Sequence, residues 1–235
     1  MAPVASRCSA VVLDIEGTTS AARFVYDTLF PYARTRMRGW LHEHGDDPAT
    51  ATAIAAVAAE SGVDPDDRDA VADILESWID ADVKAAPLKA LQGLIWAQGY
   101  DSGDLRSHFF DDVPPALRAW RQAGLRVVAY SSGSIAAQQS LFAHSTDGDL
   151  GALVDANYDL ETAGPKRDGA SYRRIADDLG IDPARLLFLS DIEDELTAAR
   201  AAGWQAVGVV RAGEEQATAQ EPSIASFGEL ALTPF

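Results

Sequence analysis

The sequence predicts an α/β fold, a doubly wound parallel sheet that carries an inserted all-helical segment. Four short apolar runs are typical of strands that helices cover on both faces. Helical patterns separate the last three of these runs, and such alternation favours parallel strands with right-handed crossovers. The apolar runs lie at residues 10–14, 125–131, 186–191 and 206–210.

The helical patterns between these strands carry their own boundary signals. Pro114 and Pro115 open the first pattern, where the first turn of a helix tolerates proline, and Gly124 follows its end. Gly180 and Gly203 end two later patterns in the same way. The patterns cover residues 114–124, 135–143, 170–179 and 194–202.

Residues 20–114 depart from this alternation, because they contain almost no strand signal. Apolar residues recur at helical spacing between residues 71 and 83, and residues 51–59 and 88–97 also have helical patterns. We therefore expect an α/β core domain at residues 1–19 and 115–235 and a helical cap domain at residues 20–114. An insert that begins beside the strand ends would overhang a site there and act as a lid. Polar surface loops are expected at residues 146–151 and 211–222.

Composition and charge narrow the classes of function. The chain has 235 residues, of which 47% are hydrophobic, enough for a sizeable core. Its 19 Lys and Arg against 36 Asp and Glu give a net charge of −17, which repels nucleic acid. A small phosphorylated substrate remains compatible with this charge, because a bound cation reverses the local field.

The sequence also indicates the compartment and the assembly. Cys8 is the single cysteine, so an intrachain disulfide is excluded and a reducing compartment is expected. We find neither a leader pattern nor an apolar stretch of the roughly 18 residues that a membrane span needs. We therefore expect a cytoplasmic protein without a membrane partner. A monomer is expected because no heptad pattern is present.

Polar residues follow three of the predicted strands at the points where the strands end. Because the carboxyl ends of parallel strands meet at one edge of a sheet, we expect these residues to converge. Taken singly, each group is typical of a turn or a helix cap. The groups are Asp14, Glu16 and Thr18; Ser131, Ser132 and Gly133; and Ser190, Asp191, Glu193 and Asp194.

Together these groups suit a phosphorylated substrate that a hard cation bridges. Mg²⁺ is held in proteins by one or two carboxylates and by phosphate oxygens of the substrate. Ser131 and the backbone N–H groups after it stand before a predicted helix, where phosphate binds readily. Lys166, in a loop after Gly164 and Pro165, would neutralise further negative charge.

The same residues, in this order, resemble the haloacid dehalogenase-like superfamily of phosphotransferases. Its four motifs correspond to Asp14-Ile15-Glu16-Gly17-Thr18, Ser131, Lys166 and Ser190-Asp191. The resemblance implies that Asp14 attacks phosphorus and forms an aspartyl-phosphate. The residue two positions on is normally Asp, the general acid and base, whereas here it is Glu16.

The Glu at this position and several further sequence segments resemble those of the enolase-phosphatases of methionine salvage, the acireductone synthases. The segments run through nearly the whole chain and are specific in combination. They include Leu13-Asp14-Ile15-Glu16-Gly17-Thr18-Thr19, Leu29-Phe30-Pro31-Tyr32-Ala33, Leu91-Gln92-Gly93-Leu94-Ile95-Trp96, Tyr130-Ser131-Ser132-Gly133-Ser134, Ser171-Tyr172-Arg173 and Leu187-Phe188-Leu189-Ser190-Asp191.

The resemblance implies a substrate, 2,3-diketo-5-methylthiopentyl-1-phosphate, and two reactions at one site. Enolisation comes first, and removal of phosphate then gives the acireductone 1,2-dihydroxy-3-keto-5-methylthiopentene. The resemblance also implies Mg²⁺ held by Asp14, Glu16 and Asp191, and substrate contacts from Ser131, Ser132 and Lys166. Asp14, Glu16 and Lys166 would be the catalytic residues, and Glu16 is the candidate enolisation base by its position in the motif.

Two other functions remain open on the sequence. One is a Mg²⁺-dependent phosphatase of another small metabolite, with the same nucleophile and no enolisation. The other is a non-catalytic acidic module whose carboxylates bind a cation for structural or regulatory purposes. His108 and His144 are further polar candidates, although a single His in an ordinary segment is more often structural.

Overall fold

Two compact units make up the chain in this computed structural model, which describes residues 3–83, 85–214 and 222–235. The first, the α/β unit, comprises the described residues of Met1–Ala22 and Arg106–Phe235. The second, the helical unit, is Arg23–Leu105. The sequence placed these boundaries after residues 19 and 114. Residues 215–221 of the loop expected at 211–222 lie outside the described residues.

The second boundary falls earlier than expected because residues 107–110 contact the α/β unit. Phe110 N donates to Thr19 O at 3.0 Å, and Ser107 N donates to His144 O at 3.1 Å. Phe109 is buried and stacks on Phe142 with 4.9 Å between ring centroids. This short segment has no periodicity, so its sequence gave no sign of the unit to which it belongs.

The α/β unit contains a six-stranded, all-parallel sheet and a separate two-stranded parallel sheet among the described residues. In chain order the strands are β1 (Val4–Cys8), β2 (Ala10–Leu13), β3 (Arg126–Tyr130), β4 (Ala156–Tyr158), β5 (Leu186–Ser190), β6 (Gln205–Val209), β7 (Ser223–Ile224) and β8 (Leu230–Pro234). The large sheet has the order β4-β3-β2-β5-β6-β7, and β1 pairs with β8. The predicted doubly wound parallel sheet is confirmed.

The four predicted strands correspond to β2, β3, β5 and β6 within about one residue at most ends, and the structure adds four more. β4 and β7 have only three and two residues, too few for a recognisable apolar run. β1 alternates between partly exposed and exposed residues before Cys8. An edge position in a small sheet does not demand the continuous apolar run that identifies a central strand.

Eight α-helices lie within the described residues. They are α1 (Phe30–His44), α2 (Pro48–Ser61), α3 (Arg68–Asp80), α4 (Ala86–Ser102), α5 (Val113–Gln122), α6 (Ile135–Ala143), α7 (Gly169–Leu179) and α8 (Glu193–Ala201). None of them is long and apolar enough to cross a membrane. The helical unit is all-helical as expected, and α1 buries a stripe of Ala33, Met37 and Leu41. Its role as a cap stays a prediction.

The core on one face of the large sheet is built from alternate residues of neighbouring strands. Val12, Tyr130 and Phe188 are fully buried there, against Tyr172 of α7 and Leu196 of α8. Side chains two positions apart on a strand share a face, so this alternation is what places them together. The packing fixes α7 and α8 relative to the strand ends that they follow.

The order of strands puts a topological switch at β2. From β2 the chain builds outward through β3 and β4 on one side, then returns to lay β5 and β6 on the other. Open α/β sheets bind their ligands at such a point, beyond the carboxyl ends of the strands. The residues that follow β2, β3 and β5 are therefore neighbours.

Candidate active site

Asp14 follows β2 directly and is held by groups from two other segments. Its side chain is almost fully buried. Lys166 Nζ lies 2.5 Å from Asp14 Oδ1, and Ser190 Oγ lies 3.1 Å from Asp14 Oδ2. The N–H of Ile15 also donates to Asp14 Oδ1, at 2.7 Å. The predicted nucleophile is thus fixed in orientation at the switch point.

A tight turn after Asp14 brings the first strand end against the third. Gly17 adopts φ 77°, which favours glycine, and a Cβ there would collide with the Asp191 carboxylate. Thr18 Oγ1 donates to Asp191 Oδ1 at 3.1 Å and accepts from Asp191 N at 3.0 Å. These two hydrogen bonds hold Asp191 beside the turn, and the missing side chain of Gly17 leaves room for its carboxylate.

Arg211, which sequence analysis did not single out, holds this turn from outside. Its Nε donates to Thr18 O at 2.9 Å, and its Nη1 lies 2.8 Å from both carboxylate oxygens of Asp112. Although burial raises the pKa of Asp112, the Arg211 guanidinium and the N–H of Phe227 lower it overall. A buried arginine shortly after β6 could not be assigned to this turn without the topology.

Lys166 is buried between two carboxylates. Besides Asp14, its Nζ contacts Glu195 Oε2 at 2.7 Å. Burial lowers the pKa of Lys166, but the two carboxylates outweigh that effect and hold it above its ordinary value. The lysine is therefore charged throughout the pH range in which proteins are usually studied.

Glu195, like Arg211, was not predicted from the sequence. Glu193 and Asp194 were predicted to lie at this strand end, yet Glu193 pairs with Arg200 at 3.2 Å and Asp194 with Arg167 at 3.6 Å. Glu195 lies one helical turn beyond Asp191, on the side of α8 that faces the strand ends. The spacing Asp-x-x-x-Glu at a strand-to-helix junction was the signal that could have identified it.

Ser190 Oγ lies between two carboxyl groups. It is 3.1 Å from Asp14 Oδ2 and 2.9 Å from Glu195 Oε2. A proton on one of the facing oxygens would let Ser190 donate to one carboxyl group and accept from the other. Burial and the Asp14 charge raise the pKa of Glu195 to about 7, which favours that arrangement.

Ser131 and Glu16 meet across two adjacent strand ends. Ser131 Oγ, fully buried, donates to Glu16 Oε2 at 3.1 Å and accepts from Gly133 N at 3.1 Å. Burial and then the Asp14 charge raise the pKa of Glu16. Ser132 is exposed beside them, and α6 begins only after Ser134. The structure thus brings Asp14, Glu16, Ser131, Lys166 and Asp191 together.

The two histidines that the sequence raised as candidates lie in the α/β unit. The backbone oxygen of His108 accepts from Ser20 Oγ at 2.9 Å, and His144 Nδ1 lies 2.9 Å from Ser140 O.

Raised carboxyl pKa values predict an unusual dependence of stability on pH. Burial and then Asp14 raise the pKa of Asp191 to about 6, and that of Glu195 is about 7. The folded protein therefore binds more protons than the unfolded chain near neutral pH, so its stability falls as pH rises from about 5.5 to 7.5. We expect metal-free protein to lose on the order of 2 kcal/mol over that range.

Thermal unfolding in a chelator at pH 5.5, 6.5 and 7.5 measures this loss. Asp191→Asn and Glu195→Gln should each flatten the profile. Asp69→Asn is the control. Hydrogen bonds from Arg38 and His42 lower the pKa of Asp69, so this carboxylate stays ionised over the whole pH range and its loss should not change the shape of the profile. A melting temperature that rises with pH in the wild type would contradict the prediction.

Comparison with known proteins shows the family to which the chain belongs. Residues 8–203 match the family described as haloacid dehalogenase-like hydrolase. The enolase-phosphatase E1 of Streptomyces avermitilis is 52% identical over 225 residues, 94% of each chain. The chain belongs to the enolase-phosphatases among the haloacid dehalogenase-like hydrolases. The resemblance found in the sequence is thereby confirmed.

A second enolase-phosphatase relative and one solved structure support the assignment of fold and family. The enolase-phosphatase E1 of Nocardia farcinica is 52% identical over 225 residues, 95% of this chain and 97% of its own length. The crystal structure of the UTR4 protein of Saccharomyces cerevisiae superposes with a TM-score of 0.79 at 29% identity. That likeness covers 94% of this chain and 98% of the yeast chain, so it spans both units.

Haloacid dehalogenase-like phosphatases generally use a divalent metal, and the carboxylates here fit one. Asp14 raises the pKa of Asp191, which means that the two negative groups lie close enough to repel one another. A divalent cation would remove that repulsion. Within the described ranges, however, no three His, Cys, Asp or Glu side chains form a metal-binding group. Two carboxylates with phosphate oxygens and water are the usual ligands of Mg²⁺.

Proposed function

We propose that the protein is a bifunctional enolase-phosphatase of methionine salvage. It would convert 2,3-diketo-5-methylthiopentyl-1-phosphate to 1,2-dihydroxy-3-keto-5-methylthiopentene and phosphate. The observation that carries the proposal is the buried Asp14 at the sheet's switch point, with Lys166 Nζ 2.5 Å from Oδ1. A carboxylate so placed can act as a nucleophile, and the chain's enolase-phosphatase relatives support a phosphate ester as the electrophile.

The phosphoryl step would use Asp14 as the nucleophile. One carboxylate oxygen attacks phosphorus, the bond to the enol oxygen breaks, and the electron pair leaves with the enol. Water then hydrolyses the aspartyl-phosphate and releases phosphate. A like-charge pair at about 4 Å costs about 4 kcal/mol at an effective dielectric of 20, so attack on a phosphate dianion requires positive charge nearby. Lys166 supplies one such charge in every step.

Glu16 would be the base of the enolisation. A base must take the proton from the carbon next to the carbonyl and must be unprotonated to do so. Burial raises the pKa of Glu16, which strengthens it as a base, while the hydroxyl of Ser131 fixes the direction of Oε2.

Mg²⁺ is the proposed metal, and Asp14 and Asp191 are its best supported ligands. When bound, such an ion supplies a positive charge that polarises phosphate or carbonyl oxygens. Glu16 is the third ligand implied by the resemblance, and its Oε2 accepts a hydrogen bond from Ser131. Thr18 and the backbone of the turn would keep Asp191 in place for the ion.

The diketone substrate tests the proposal. Purified protein, stripped of metal, is mixed with the diketone with and without Mg²⁺, while absorbance and free phosphate are followed together. A transient enol absorbance that precedes phosphate is the expected result. Phosphate release without a transient would instead indicate a phosphatase of another metabolite, and no release from any phosphate ester would indicate a non-catalytic module.

Glu16→Gln should separate the two reactions. The amide keeps the size of the side chain but cannot take a proton, so we expect enolisation to slow by about 10²-fold or more. Phosphate release from a generic phosphate ester, which needs no enolisation, should fall much less. The measurement compares the enol transient with p-nitrophenyl phosphate hydrolysis in the same preparation. Intact enol formation with blocked phosphate release would assign the base to another residue.

The proposal also includes a monomeric enzyme of the cytoplasm. The strongly acidic surface disfavours association between copies of the chain through charge repulsion. Sedimentation equilibrium at micromolar concentration should give the mass of one 25.0 kDa chain. A mass of two chains would contradict this part of the proposal alone.

A further inference from the structure

The four residues that lead to and include Lys166, here called the lysine loop (residues 163–166), have an unusual set of hydrogen bonds. Each of their four carbonyl oxygens accepts a hydrogen bond from a side chain of the α/β unit. Tyr130 Oη donates to Gly164 O at 2.8 Å, and Tyr172 Oη donates to Lys166 O at 2.7 Å. Ser171 Oγ donates to Pro165 O at 2.8 Å, and Arg174 donates to Ala163 O.

These donors matter because the loop lies outside helices and strands. Pro165 O also accepts from the backbone N–H of Asp168 at 3.0 Å, and the side-chain donors satisfy the carbonyls that a helix or strand would otherwise pair. Gly164 adopts φ 103°, and a Cβ there would lie 2.8 Å from Ser171 Oγ. The side-chain donors and the positive φ of Gly164 therefore both define the path of the loop.

The two tyrosines are held rigidly by the core. Both are fully buried, and their rings meet edge to face at 5.6 Å. Tyr172 also packs edge to face against Phe188 and Trp204, each at 5.3 Å. Hydroxyls on rings fixed in this way are anchored to the sheet and to α7, and they transmit that rigidity to the loop.

We infer that Tyr130 and Tyr172 are positioning residues for catalysis, which act by fixing Lys166 through the carbonyls of its loop. This rests on the proposed function only for the importance of Lys166. The ammonium must sit within hydrogen-bond reach of both Asp14 and Glu195, and a displacement of about 1 Å in such a group reduces rates by about 10²-fold. Neither hydroxyl touches the reacting groups directly.

Tyr172→Phe is the decisive variant, because it removes the hydroxyl and keeps the ring. Tyr158→Phe is its matched control: Tyr158 is also a buried tyrosine of the same unit, and its hydroxyl bonds Asp178, away from the lysine loop. A structural role alone predicts similar melting-temperature losses and similar activities for the two variants. A positioning role predicts a selective fall in kcat for Tyr172→Phe, by about tenfold or more, with KM nearly unchanged.

A second measurement does not depend on activity. The sequence has three lysines, and an amine-reactive reagent followed by peptide mass spectrometry reports how fast Lys166 reacts relative to the exposed Lys89. The buried, ion-paired Lys166 should react slowly in the wild type. Its relative rate should rise by about tenfold in Tyr172→Phe and stay near wild type in Tyr158→Phe. Ser171→Ala, which removes the side-chain donor to Pro165 O of the same loop, repeats the test if Tyr172→Phe does not fold.

Equal Lys166 labelling in the two tyrosine variants would overturn the inference, and so would a wild-type kcat in Tyr172→Phe. Failure of the proposed function has a different signature: a wild-type protein that releases no phosphate from the diketone. The labelling experiment gives its answer in either case.

Discussion

Asp14→Asn is expected to abolish phosphate release while leaving the protein folded. The amide cannot attack phosphorus to form an acyl phosphate, and loss of a covalent nucleophile lowers kcat by at least about 10⁴-fold in comparable enzymes. Substitution also removes a charge that Lys166 contacts at 2.5 Å, so some stability is lost as well. Phosphate release from the diketone and from p-nitrophenyl phosphate should fall together, because both need the same nucleophile.

A matched variant separates chemistry from folding. Asp159 is another buried carboxylate of the α/β unit, and it accepts N–H bonds from Ile135, Glu161 and Thr162. Asp159→Asn should lower the melting temperature but leave phosphate release within a fewfold of wild type. Stable Asp14→Asn protein with wild-type phosphate release would remove Asp14 as the nucleophile, and with it the proposed mechanism.

The fold and most of the candidate site were predictable because they depend on local signals that topology then brings together. β2, β3 and β5 are continuous apolar runs, and such runs occur where helices cover both faces of a parallel sheet. Polar residues directly after those runs must share one edge of the sheet. Asp14, Ser131 and Asp191 could therefore be placed together from the sequence, although 177 positions separate the first from the last.

The features that the sequence did not predict are those that depend on which way a side chain points. Glu193, Asp194 and Glu195 are adjacent acids in the first turn of α8, and composition cannot distinguish them. Only the rotation of the helix against β5 decides that Glu195 faces Lys166. The hydroxyls of Tyr130 and Tyr172 are similar, since aromatic residues in apolar runs are expected in the core and their polar atoms give no sequence signal.

Lys166→Met should cost both activity and stability, for different reasons. Without the ammonium, the negative charge that develops on the phosphoryl group in the transition state is no longer stabilised by a hydrogen-bond donor at this position. Loss of such a donor reduces rates by about 10²–10³-fold in other enzymes. Removal of one partner from a buried ion pair destabilises by about 3–5 kcal/mol, because the remaining charges are left unpaired. Methionine has a similar length and fills the same space, so a cavity contributes little.

The double variant Lys166→Met/Glu195→Gln distinguishes these two losses. Glu195→Gln removes the second carboxylate that faced the lysine, so the double variant should recover part of the stability that Lys166→Met lost. Phosphate release should not recover, because no group replaces the ammonium beside Asp14. Denaturant unfolding at pH 8 measures the first quantity and phosphate release the second. If activity returned together with stability, Lys166 would be a structural residue, and the charge that offsets the approach of phosphate to Asp14 would have to come from elsewhere in the site.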